Sequence, residues 1–326
     1  MARGTRAARG AALGMLAMGT LAMGTLAGCA GHAPRLPRIG SHFMPAVVPF
    51  AADTTTLGGR RWHRLREPAF DLYVQTPSIL PVVDGHLQAT ATEFTRHFGG
   101  APRVAVLVFD APADPTHDFD FTPFQTAGTQ VLVFVRAKKP SGEDRLGIDE
   151  GLLRSRLAEL FLAAYADSVV ASTIGVRDAT SGGRALDRLP HWFAEAVISR
   201  VARPETVEPG LAYVRANRLR LVPLRHLFGV ARLGTPPWSE LAGQRATALP
   251  LAPAFAPGTP PATLLAAEST AFGEFLVDRY GPTFLQAVAD ELLLGVPTEQ
   301  ALVTLPGGPD DGVALERRWE AWLARR

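Results

Sequence analysis

Two glutamates set in apolar sequence are the residues of this chain whose chemistry most needs an explanation. Glu159 lies inside LAELFL at 157–162, and Glu195 follows 36 positions later, inside LPHWFAEA at 189–196. A carboxylate among apolar side chains must be ion-paired, hydrogen-bonded or protonated. Carboxylates fixed on helices also serve enzymes as general bases or metal ligands. His191 precedes Glu195 by four positions, so on a helix the two side chains share a face.

The segment 189–196 resembles the "Leu-Pro-x-Trp-aromatic-x-Glu-Gly" helix of the peptidase MA-like gluzincins. In that family an upstream HExxH helix supplies two zinc-binding histidines and a glutamate that polarises the attacking water. The resemblance implies that Glu195 occupies the third-ligand position and that Glu159 occupies the general-base position. Ala158 and Leu162 then occupy the two histidine positions. Neither aliphatic side chain can donate an electron pair to zinc.

The resemblance continues beyond these two helices and covers residues 68–323. It includes 221–228 (LVPLRHLF), 267–276 (AESTAFGEFL), 279–281 (RYG), and the pair Trp319 and Trp322. It implies an α+β, zincin-like fold in which a small mixed β-sheet lobe precedes a mostly helical lobe. We therefore expect one peptidase MA-like domain over 46–326, with an α/β part at 46–148 and a helical part at 149–326.

A scaffold that keeps its motifs but lacks two ligands predicts a non-catalytic, metallopeptidase-like protein with a binding or structural role. A relict cleft for a peptide or protein would be lined by His191, Trp192 and Glu195. Glu159, a relict general base, would bond a nearby arginine, histidine or backbone amide. No cofactor is expected. The alternative is an active zinc-type peptidase or another hydrolase with non-standard ligands, for which His191, Glu195 and Glu159 are the candidate donors. In a third interpretation the chain is a purely structural envelope protein whose cleft is filled with side chains, which Leu162 favours. Trp192 and Phe193 are interpreted as core anchors beneath their helix.

Residues 1–28 have the features of a lipoprotein signal peptide. Three arginines lie within the first nine residues, an uncharged apolar stretch follows, and LAGC ends at Cys29. This tetrapeptide is similar to the lipobox, whose cysteine receives the acyl chains. The apolar stretch is shorter than the ~20 residues that span a bilayer. We expect export, a lipid anchor on Cys29 and a tether over 29–45.

Charge and cysteine content restrict the partners. The chain has 33 basic and 31 acidic side chains, and three of the arginines belong to the signal, so the mature protein is close to neutral. We therefore expect no nucleic-acid partner. Cys29 is the single cysteine, so no intramolecular disulfide can form. We expect contact with the membrane through the lipid on Cys29, and an outer rather than an inner membrane because Ala30 is not acidic.

Sequence periodicity predicts the main elements. Strands are expected over 69–76, 104–109 and 131–135, and a loop rich in Asp and Pro over 111–124. Helices are expected over 81–98, from about 152, and over 190–202, 263–280, 282–294, 297–303 and 313–324, with an irregular loop over 250–261. The stretch 157–165 is apolar almost all round, which indicates a buried central helix. His97 is expected as a surface or capping residue, and His226 is the histidine expected nearest the cleft.

Overall fold

The computed structural model describes residues 52–110, 119–138, 146–174, 185–229 and 262–326. The chain divides into two units, 1–48 and 49–326, and every described residue belongs to the second unit. The predicted signal peptide, Cys29, the tether and the 250–261 loop therefore lie outside the described residues. None of the described helices has the length and apolar character needed to cross a membrane.

The fold is α+β and its main sheet is mixed, as predicted. Its five strands lie in the order β1-β2-β3-β4-β5, where β1 to β3 pair antiparallel and β3 to β5 pair parallel. The strands are β1 Asp53–Leu57, β2 Arg60–Arg66, β3 Phe70–Val74, β4 Val104–Phe109 and β5 Val131–Val135. A second, two-stranded sheet pairs β6 Ala137–Lys138 with β7 Leu146–Gly147.

The strands differ in how well sequence predicts them. The bounds of β4 and β5 are as predicted, because both are short β-branched runs, and β4 is buried along its whole length. The β1–β2 hairpin was not predicted. Its strands are rich in threonine and arginine and turn at Gly58 and Gly59, both with positive φ, which glycine adopts without steric cost.

Helices make up the rest of the described chain. They are α1 Leu80–Phe98, α2 Thr122–Thr126, α3 Glu150–Ile174, α4 His191–Ala202, α5 Val207–Ala216, α6 Leu224–Phe228, α7 Ala262–Tyr280, α8 Phe284–Leu293, α9 Thr298–Thr304 and α10 Gly312–Arg325. Helix α1 ends at Gly99 in the left-handed conformation, as expected. Two expectations were wrong: Pro190 precedes the first turn of α4 instead of lying in it, and α2 occupies the end of the predicted 111–124 loop.

One apolar core joins the sheet to the helices. It contains side chains from β3, β4 and β5 together with α1, α3, α4, α7 and α8, so the predicted 46–148 and 149–326 parts share it. Seven consecutive residues of α3, 157–163, are buried, which confirms a central helix enclosed on every side. Helices α4 and α7 approach closely where Gly273 faces Ala196: a Cβ on Gly273 would lie 2.7 Å from the Ala196 Cβ.

Candidate functional site

The two segments that carry the peptidase resemblance form α3 and α4, which pack against each other. Ala158 and Leu162, at the positions of the two zinc-binding histidines, are each 0 % exposed and belong to the main core. Close-packed aliphatic side chains leave no room for a bound water or ligand there. This turn of α3 is therefore built as core.

Glu159 also has a local partner. Its side chain is buried, and the Arg156 Nη1 donates to Glu159 Oε2 at 3.0 Å, one helical turn away. Of the three kinds of partner expected for this carboxylate, an arginine, a histidine or a backbone amide, the structure shows an arginine. A general base needs a free lone pair and a positioned water, and the ion pair with Arg156 occupies one oxygen of this carboxylate.

The other two predicted donors lie on α4. Glu195 is half-buried, and Ser199 Oγ donates to its Oε1 at 3.3 Å. His191, the first residue of α4, is also half-buried. Within the described ranges, no three His, Cys, Asp or Glu side chains are grouped so that they could hold a metal ion. At the motif positions, Ala158 and Leu162 offer no lone pair, so these positions do not supply the three protein ligands that a catalytic zinc takes.

Trp192 and Phe193 are both fully buried, which agrees with their interpretation as core anchors. The Trp192 ring centroid lies 5.2 Å from that of Phe272 on α7 and 5.5 Å from that of Phe228 on α6. Aromatic pairs at such separations add stabilisation beyond their buried area. Trp192 thus ties three helices together, and in this position it is out of reach of a ligand at the surface.

Sequence analysis overlooked a buried carboxyl group on α7. Glu268 is 0 % exposed; its Oε2 accepts a hydrogen bond from the Val222 backbone N–H at 3.4 Å, and its Oε1 has no hydrogen-bond partner among the residues that the structure describes. Burial raises the pKa of Glu268 to about 7, with a further upward contribution from the Glu316 carboxylate. Glu268 interrupts an apolar run as Glu159 does, so the same sequence signal was available.

His97 was expected as a surface or capping residue, and the surface position was wrong: the side chain is fully buried. Its Nδ1 lies 3.1 Å from the Pro282 carbonyl oxygen, and its Nε2 accepts from Arg200 Nε at 3.0 Å and lies 3.2 Å from Glu93 Oε1. Arg200 in turn pairs with Glu274. Burial lowers the pKa of His97, since the charged imidazolium loses its hydration. The cluster joins α1, α4 and α7 and has a structural role.

A groove with a volume of about 450 Å³ opens to solvent beside the start of α4. It is lined by Arg188, Pro190, Arg225, Phe228, Gly229, Leu292, Gly295, Val296, Pro297, Thr298 and Glu299. Glu159 and Glu195 do not contribute to it. His226, the histidine expected nearest the cleft, is exposed on α6 and is also absent from the lining.

No family model, curated protein or solved structure matches this chain. The likeness to the peptidase MA-like gluzincins therefore depends on the motifs in α3, α4, α6 and α7.

Proposed function

We propose that this protein is a lipid-anchored, non-catalytic relative of zincin-like metallopeptidases, exported to the cell envelope, where it binds a peptide or protein or has a structural role. One observation carries the proposal: the α3 turn that would bear an HExxH motif is a packed part of the core, with Ala158 and Leu162 fully buried. Glutamates remain at the other two motif positions, Glu159 and Glu195.

The alternative of an active hydrolase has weaker support. Glu159 is ion-paired with Arg156, and a carboxylate held in this way is a poor base. A catalytic zinc requires three protein ligands and an open coordination position. The α3 turn contributes only aliphatic side chains at the ligand positions, and these cannot coordinate a metal ion.

The anchor is proposed from the sequence alone. The order of a positive start, an apolar stretch and LAGC at Cys29 supports lipidation, and Ala30 supports retention at an outer membrane where the cell has one. Replacing Cys29 by serine tests this part separately. We expect the wild-type chain to carry a lipid and to fractionate with membranes, and the Cys29→Ser variant to carry no lipid. A wild-type chain without an acyl group, whose mass differs from that of the variant only by the substitution, would refute anchoring.

Catalysis is tested by incubating the mature protein with a mixture of casein-derived peptides, with and without a zinc chelator. We expect no chelator-sensitive cleavage, and the same peptide pattern for wild type and for Glu159→Gln. Cleavage that stops with the chelator and also disappears in Glu159→Gln would overturn the proposal and support the hydrolase alternative. Testing both conditions separates cleavage by this protein from that of a contaminating peptidase, which would be insensitive to the substitution.

A further inference from the structure

Two arginines bring positive charge to the groove beside the start of α4. Arg188 comes from the segment before α4 and Arg225 from α6. Arg188 Nη1 donates to the Leu293 carbonyl oxygen at 3.3 Å, which holds the guanidinium at the rim, and its other N–H groups can still serve a ligand. Within the described part of the chain, neither arginine is in an ion pair.

The groove lining also contains one carboxylate, that of Glu299. Its Oε1 lies against Gly312, where an added Cβ would overlap it. Gly312 is the first residue of α10, so the carboxylate of Glu299 is at the positive end of that helix dipole. With two arginines and one glutamate in its lining, the groove has more positive than negative side chains.

The rest of the groove is largely apolar. Phe228, Leu292 and Val296 contribute side chains, and Pro190 and Pro297 flank them. A volume of about 450 Å³ is within the usual range for ligand sites, ~300–1,000 Å³. The groove is open to solvent, and Gly229 and Gly295 in its lining are exposed. This shape suits a short extended peptide better than an acyl chain, which needs an enclosed apolar tunnel.

We propose that this groove binds a short peptide segment that carries a carboxylate next to an apolar side chain. The carboxylate lies between Arg188 and Arg225, where guanidinium groups donate charge-assisted hydrogen bonds, and the apolar side chain packs on Phe228 and Val296. The inference rests on the proposed binding function and gives it a ligand class and a location. The location is distinct from the relict helix pair that the motifs indicate.

The test uses the mature chain from residue 30, which contains the whole compact unit 49–326. Three dansyl-labelled leucine- and phenylalanine-containing tripeptides are titrated by fluorescence anisotropy: one with a free C-terminal carboxylate, its amide, and an amide with a central aspartate. The two acidic peptides distinguish a C-terminal from a side-chain carboxylate. Dodecanoate is the acyl-chain competitor.

We expect saturable binding of at least one acidic peptide and binding of the neutral amide that is at least tenfold weaker. Arg188→Gln and Arg225→Gln should each weaken the acidic peptide roughly tenfold, since hydrogen bonds to charged groups are among the stronger ones. The matched control is Arg279→Gln, at an exposed arginine outside the groove lining, which should leave affinity within twofold.

Peptide binding that ignores both arginine substitutions would refute this location and leave the proposed binding function intact. Equal affinity for acid and amide would refute the carboxylate as the recognised group. Binding of dodecanoate in place of the peptides would refute the peptide ligand. If no acidic peptide binds at millimolar concentration, the groove proposal is wrong, whereas a structural role for the anchored protein would stand.

Discussion

The carboxyl group of Glu268 should make the folded protein less stable as the pH rises through neutrality. The pKa of Glu268 is about 7 in the fold, against an ordinary value of 4.5, because burial disfavours the charged form. A raised pKa means that the folded state holds the proton more tightly than the unfolded state does. The stabilising contribution is therefore complete below about pH 4.5 and is lost as the pH rises through about 7.

The magnitude follows from the shift. Each pKa unit corresponds to ~1.4 kcal/mol, so the full contribution of Glu268 is about 3 kcal/mol. Between pH 5.5 and 8.5 about 2 kcal/mol of it should be lost. Glu268→Gln keeps an acceptor for the Val222 N–H but cannot ionise, so the variant should lack this loss.

The assay is urea unfolding of wild type and Glu268→Gln at pH 5.5 and 8.5. The difference of differences isolates Glu268, because every other titrating group is common to both chains. Glu320→Gln, an exposed acid on α10, is the matched control and should show the wild-type pH dependence. Parallel pH profiles for wild type and Glu268→Gln would refute the reasoning and place the carboxyl of Glu268 in contact with water or with a cation.

Three further predictions concern packing, charge and capping, each measured as the free energy of unfolding in urea. Gly273→Ala should destabilise the protein by ~1–3 kcal/mol, because its Cβ would lie 2.7 Å from that of Ala196. The control Gly210→Ala, which has open space around it, should stabilise the protein by up to ~1 kcal/mol. Equal effects of the two substitutions would refute the close helix contact. Burial lowers the pKa of His97, so its stabilising contribution is present above pH 6.5 and is lost as the pH falls. His97→Gln should therefore be less stable than wild type at pH 7, and its free energy of unfolding should change less with pH. A variant with the same pH dependence as wild type would contradict this. Asp311→Ala should lower the free energy of unfolding by ~1 kcal/mol, because the Asp311 carboxylate caps α10 by accepting a hydrogen bond from the Ala314 backbone N–H. An unchanged free energy of unfolding would show that the cap contributes nothing.

Sequence reasoning succeeded for elements whose burial is determined locally. The apolar run of β4 can be accommodated only between packed layers, and the all-round apolar stretch of α3 only inside a helical core. Gly99 marked the end of α1 because a left-handed residue there is inexpensive only for glycine.

The failures have different causes. The β2 strand RRWHRLR has almost no apolar alternation, and Trp62 and Leu65 bury toward different faces of the sheet; the available sign was the pair Gly58–Gly59 that turns the hairpin. His97 became buried through Arg200 and the Pro282 carbonyl, which are distant along the chain. No local pattern reports such partners.

The candidate site shows both outcomes. An arginine partner for Glu159 was foreseeable, because an acid in an apolar helix must be neutralised and Arg156 is one turn away. Glu268 gave the same signal and was interpreted only as part of a family motif. Whether the relict positions form a cleft depended on how α3 and α4 pack, and a sequence pattern does not contain that information.

Counting zinc ions per chain by mass spectrometry, in wild type and in the double variant Ala158→His with Leu162→His, tests the central claim most directly. Our account predicts no stoichiometric zinc in the wild type and none in the double variant, because both α3 positions are fully buried among apolar side chains that leave no room for a metal ion. One zinc in the wild type would contradict the non-catalytic proposal. About one zinc in a folded double variant, lost again when Glu195→Ala is added, would show that the two α3 positions border an open site and would contradict the packed core.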